Sequence, residues 1–157
     1  MTNGHSVYDE RAEAAILGGC ILERRVPLEV PAVGELRRDD FYLEKHRAIW
    51  EAMIYVSAQG QPLDPVTLRQ CLRQLGKMKT AGGAHYLVGL ATECPAGVEI
   101  GRYAGIVRRY AAARLLVDVA RGIAAKGDKL TVDTVDDFLD RAGADIIEAQ
   151  EPLRRST

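Results

Sequence analysis

The chain has 157 residues, 47% of them apolar and 27% charged, with a formal net charge of -1. That length supports one domain with its own core, and the near-zero charge without a dense basic stripe argues against a strong nucleic-acid binder. No apolar run approaches the ~20 residues that span a bilayer, and Met1 to Asp9 has no signal-peptide core, so a cytoplasmic protein without a membrane anchor is expected.

Almost every segment reads as helix. Ala, Leu, Arg and Glu dominate, and β-branched alternation is nearly absent. The first helix is predicted from Asp9 to about Leu22, with Asp9 and Glu10 at its positive end. Its inner face uses Ala12, Ala15, Ile16, Gly19 and Cys20, and Gly18-Gly19 lets another helix approach closely. A short helix follows between Pro27 and Leu36, its interior limited by Pro31. Arg37 to Asp40 is a polar break, and Phe41 and Tyr42 form an aromatic plug under the next helix, Leu43 to about Gln59. There Ile49, Ala52, Met53 and Val56 share a face, His46 reads as a packing histidine, and Gly60 is the stop. Asp64-Pro65 is an N-cap with proline at the first helical position. That helix runs to Leu75 with Leu68, Leu72 and Leu75 inward, and Gly76 ends it.

Gly82-Gly83 makes a tight turn into a helix over Ala84 to Cys94 that carries Tyr86, Leu87, Leu90 and Ala91. Pro95 and Gly97 mark a boundary. A long helix from about Glu99 to Lys126 repeats Ile100, Tyr103, Ile106, Val107 and Tyr110, then Leu116, Val117, Ala120 and Ile123. After a turn at Gly127-Asp128-Lys129, the last helix, Val132 to Glu151, carries Val135, Phe138, Leu139, Ala142, Ile146 and Ala149 at helical spacing. Pro152 is expected to end it. The predicted fold is all-α: a compact bundle of short helices over residues 9–94, a two-helix hairpin over 99–151, and flexible tails at 1–8 and 152–157. A hairpin has little core of its own, so its apolar stripe needs a partner, either the first subdomain or a second copy in a two-fold dimer.

Catalytic chemistry is not visible. A phosphate-binding loop needs G-x-x-x-x-G-K-[ST]. The nearest string, Gly122 to Lys129, has Asp128 in place of the lysine and reads as a helix end and a loop. Cys20, Cys71 and Cys94 are far apart and form no C-x-x-C pair, and His5, His46 and His85 do not join them at metal-ligand spacing. No cofactor or metal is expected, and no enzymatic activity.

Three motifs stand in order: Asp40-Phe41-Tyr42 with His46, Ile49, Ala52 and Met53; Gly82-Gly83 with Tyr86-Leu87 and Leu90; and Ile100 with Tyr103-Ala104 and Ile106-Val107. Together with Ala12 to Gly19 and Gly60 to Leu68, they resemble the N-terminal domain of the bacterial replicative DNA helicase, the DnaB family. The resemblance runs from about Asp9 to Gln150, and the helicase motor is not part of it.

The resemblance implies that the hairpins pair and that three pairs build a collar; the apolar stripe Val135, Phe138, Leu139, Ala142 and Ile146 is the candidate seam for such pairing. The resemblance also implies that Tyr86, Val117 and Ile123 match positions that dock primase; core packing is the other reading of these three. Arg11 matches a further such position where relatives carry an acidic residue. Arg108, Arg109 and Arg114 are either a solvated helix face or weak phosphate contacts with single-stranded DNA. The expected role is a replication module that self-associates and engages primase and a helicase motor; if the chain is part of a helicase whose motor lies on a further segment, Pro152 to Thr157 starts the linker. The alternatives are a stand-alone regulator or decoy of a full-length helicase, and a weak single-stranded-DNA adaptor.

Overall fold

A computed structural model describes residues 7–154. Asp9 opens α1 (Glu10–Glu23) by accepting the Ala12 N–H at 2.9 Å, and Arg24, in the left-handed conformation, closes it. Pro31 is the first residue of α2 (Pro31–Gly34) and so does not limit a helix interior: at that position its missing N–H has no partner to lose. Arg38–Asp40 forms one 3-10 turn, and α3 (Glu44–Ala58) follows. The Asp64 carboxylate accepts the Thr67 N–H at 2.8 Å and Pro65 begins α4 (Pro65–Gln74), as the sequence indicated. Gly82, with φ of 93°, turns the chain into α5 (Gly83–Glu93). The two long elements are α6 (Ile100–Gly127) and α7 (Val135–Arg154). Among the described residues there is no strand.

The core is arranged around α1, which packs on α3, α5 and α6, while α3 also carries α4. Ile16, Leu17, Phe41, Ile49, Met53, Leu68, Leu72 and Leu87 are fully buried. Gly18 permits the closest approach: a Cβ there would collide with the Leu90 carbonyl oxygen of α5. One helical position on, a Cβ at Gly19 would lie 2.7 Å from Ile100 Cγ1. The first turns of α6 therefore belong to the same core, through Ile100, Ala104 and Val107. Beyond them α6 extends outward and α7 folds back along it, with the Phe138 ring beside Gly127 and Ala149 buried.

Several expectations from the sequence are corrected. Leu75 caps α4 and is exposed. Of the two aromatic residues before α3, only Phe41 is a plug: it lies against Trp50 with ring centroids 5.2 Å apart, while Tyr42 is 41% exposed and stacks on Tyr8 at 4.3 Å. Val132 is 91% exposed and precedes α7. The last helix continues through Pro152 to Arg154; a proline so near a helix end forfeits only one backbone hydrogen bond of the final turn. Of the expected flexible tails, Val7 and Tyr8 are engaged with α6 and Tyr42, and residues 1–6 and 155–157 lie outside the described residues.

Candidate interaction site

A buried polar chain joins three helices. Glu13 of α1 is 1% exposed and His46 of α3 is 0% exposed. Glu13 Oε1 lies 2.9 Å from His46 Nδ1, and His46 Nε2 lies 2.7 Å from the Tyr86 hydroxyl of α5. Glu13 also accepts the backbone N–H groups of Tyr42 and Leu43, at 3.0 and 3.4 Å, which have no helical partner at the start of α3. Buried polar groups are costly unless hydrogen-bonded, and each member of this chain is. At its outer end the Lys45 ammonium sits 4.3 Å from the Tyr86 ring centroid and 3.3 Å from Glu10 Oε1. Burial pushes the Tyr86 phenol above its ordinary range, against the opposing pull of Lys45. His46 is thus the packing histidine expected from the sequence. Glu13 was missed; its signal was a lone charge one turn before Ile16 and Leu17 on the face that α1 buries.

A second junction ties the subdomain to the middle of α6. The Arg114 guanidinium donates to the carbonyls of Val7 at 2.9 Å, Asp40 at 2.8 Å and Asp39 at 3.5 Å, and lies over the Tyr42 ring. Burial lowers its pKa, partly offset by Glu13. Arg108 pairs with Glu35 of the α2 region at 2.7 Å, and Arg109 is exposed. The three arginines do not form one basic face, since two are directed at the protein's own groups. Beside them a groove of about 1150 Å³ runs between the 3-10 turn and α6, reaching Glu148 and Glu151 of α7; its walls carry acidic as well as basic side chains.

The hairpin divides the residues that the sequence placed on one stripe. Phe138, Ala142 and Ala149 follow helical spacing on the side of α7 that meets α6, and Val135 is half-buried. Leu139 is 66% exposed, and Ile146 and Ile147 are exposed on the same outward side. Of the docking candidates, Tyr86 is half-buried on α5 and Arg11 is exposed on α1. Val117 is exposed on α6, whereas Ile123 lines a cavity of about 500 Å³ between α6 and α7. Along α6, Val117 lies about one turn and Ile123 about two and a half turns beyond Arg114, whereas Tyr86 and Arg11 stand on helices of the bundle.

The thiols are unactivated. Burial, with smaller contributions from Glu23 and Cys94, pushes Cys20 up to about 12, and burial also raises Cys71 and Cys94. Among the described residues no cluster of His, Cys, Asp and Glu is placed to hold a metal, and no helix is long and apolar enough to cross a membrane. The string at Gly122 to Lys129 is the end of α6 and a turn.

This arrangement of helices matches known proteins. A family model described as the DnaB-like helicase N terminal domain covers residues 5–109. The chain is 34% identical to the replicative DNA helicase DnaB of Leifsonia xyli over 88% of its own length and 30% of the relative's. With that of Mycobacterium leprae the identity is 33%, over 91% of this chain and 24% of the relative. The chain therefore spans less than a third of these curated relatives. The crystal structure of the N-terminal domain of DnaB helicase from Mycobacterium tuberculosis superposes with a TM-score of 0.78 at 31% identity, covering 90% of this chain and 97% of that one. A structure of a DnaB-like replicative helicase, described with its interactions with primase, superposes with a TM-score of 0.70 over 90% of this chain and 31% of that one; at 23% identity it supports the fold alone. The chain belongs to the DnaB-like helicase N-terminal domain family.

Proposed function

We propose that this domain is the assembly and docking module of a replicative DNA helicase acting in the cytoplasm, itself without catalytic chemistry, and that it pairs with a second copy through the outward side of its hairpin. The observation that carries the reading is the row Leu139, Ile146 and Ile147, exposed on α7 while the opposite side of the same helix rests on α6. An apolar row of this kind is characteristic of an interaction surface, and an isologous pairing of two hairpins closes it with two-fold symmetry. Higher assembly with a helicase motor, and docking of primase at Tyr86, Arg11, Val117 and Ile123, extend the same proposal. Val117 has the exposure that an anchor needs, and Tyr86 presents an edge with Lys45 above it. Ile123, under α7, would act by keeping the hairpin packed. Direct DNA binding would be weak and salt-sensitive, because Arg108 and Arg114 are directed at the protein's own groups.

Sedimentation over a concentration series tests the pairing. The wild-type chain is expected to reach a dimer, and Leu139→Asp to shift it to monomer with helical content unchanged, since a charge at the seam would be buried unpaired. A wild-type monomer at every concentration overturns the proposal.

A further inference from the structure

The hydrogen-bond directions in the buried chain are constrained by chemistry. Glu13 accepts the N–H groups of Tyr42 and Leu43 and faces His46 Nδ1 at 2.9 Å. A carboxylate is acceptor-only, so Nδ1 must carry a hydrogen. In a neutral imidazole Nε2 is then bare. At 2.7 Å from the Tyr86 oxygen it accepts the phenolic O–H. The phenol has spent its one hydrogen inward, and its oxygen can only accept from the outside. The Lys45 ammonium, held by Glu10, is the donor next to it.

A second proton on the ring reverses this. Nε2–H becomes a donor, the Tyr86 oxygen accepts it, and the phenolic hydrogen has to turn outward. We propose that the proton state of His46 sets which hydrogen bond Tyr86 offers to the surface: an acceptor when the ring is neutral, a donor when it is charged. Neither state requires the helices to move, because the oxygen stays within reach of Nε2 in both.

The groups that set the field are Glu13 and Glu10 on α1, Tyr86 on α5, Lys45 and Arg47 beside His46 on α3, Asp40 in the 3-10 turn, and Arg114 on α6, which is close enough to feel Glu13, Arg47, Asp40 and Tyr42. In the charged state the outward O–H points toward an ammonium, which has no acceptor to give. It must find a carboxylate or carbonyl, either Glu10, in competition with Lys45, or one from a partner. Protonation of His46 is therefore expected to loosen Lys45 from Tyr86 and to favour a ligand with an acceptor at that edge. This holds whatever partner the domain has.

The test is nuclear magnetic resonance on the whole isotope-labelled chain. Two-bond proton–nitrogen correlations report the tautomer of His46, with signals assigned through His5→Gln and His85→Gln. In the singly protonated ring, Nδ1 is expected to carry the hydrogen and Nε2 to be bare. On acidification the Tyr86 Cζ and Lys45 Nζ shifts are expected to move with the same midpoint as His46, and Tyr86→Phe to abolish the Lys45 response. The proposal is overturned by a singly protonated ring that carries its hydrogen on Nε2, by a Tyr86 Cζ that stays still while His46 titrates, or by a His46 that holds one state until the chain unfolds.

Discussion

Glu13 and His46 form a charge-capable pair that a small core holds only because every polar atom has a partner. Removing one member leaves the others stranded: Glu13→Leu takes the acceptor from His46 Nδ1 and from the Tyr42 N–H. Urea unfolding is expected to show a loss of roughly 3 kcal/mol or more, and the double variant Glu13→Leu with His46→Leu to recover only part of it, because it removes the stranded His46 Nδ1–H but still leaves the Tyr42 and Leu43 N–H groups without their acceptor. The thiols give a second residue-scale prediction. Cys20 is buried and its pKa is pushed up to about 12, so alkylation near neutral pH is expected to reach the half-buried Cys94 first and Cys20 only on unfolding. A mass-spectrometric time course with and without urea checks the order. At this scale the sequence was half legible. His46 sits beside Ile49 and Trp50, and its neighbours give it away. A charge such as Glu13 is by default assigned to solvent, and its real environment is made by residues about thirty positions distant.

Helix starts were the most legible elements, because capping is local chemistry. Asp64 accepts the Thr67 N–H and precedes Pro65. Asp64→Ala is expected to cost about 1 kcal/mol in thermal or urea unfolding. The cap also titrates. Its hydrogen bonds to the backbone hold Asp64 below the ordinary 3.8, so its contribution is present above that value and is lost as the pH falls through the lower folded value. The stability difference between wild type and Asp64→Asn, which caps without titrating, should therefore shrink on the acid side of 3.8. Close approach of elements was legible too. Gly18→Ala is expected to push α5 away, since its Cβ meets backbone at Leu90 and not a side chain that can turn aside; overpacking of this kind costs about 1–3 kcal/mol. Less legible were Leu75 and the end of α7. An apolar residue at helical spacing reads as inward even where the helix has just stopped, and a proline reads as a terminus even where the last turn tolerates it.

On the scale of the whole molecule, α6 serves two structures at once. Its start lies in the common core and its remainder carries α7, yet one apolar periodicity runs through both, so the sequence separated a bundle at 9–94 from a hairpin at 99–151 and could not show that they share Ile100, Ala104 and Val107. Nor could it show Arg114 reaching three carbonyls that lie more than seventy residues away in sequence. Arg114→Met should keep the aliphatic stem and release those carbonyls. Faster amide exchange is expected at residues 38–42 with α4 unchanged, and a stability loss of about 1–3 kcal/mol.

The 28 residues of α6 run without a break from that core to the hairpin turn, which makes the helix a cantilever. Some 13 residues, roughly 20 Å, project beyond Arg114, whose bonds to Val7 and Asp40 hold the middle of the helix, so a tilt of about 5° where the beam is clamped displaces its tip by roughly 1.7 Å. The clamp is the seating of Ile100 against Gly19 together with the Arg114 junction. A partner gripping the far end would thus sense sub-ångström changes in the core, and a pull on the tip would be delivered back to α1 with the same mechanical advantage reversed.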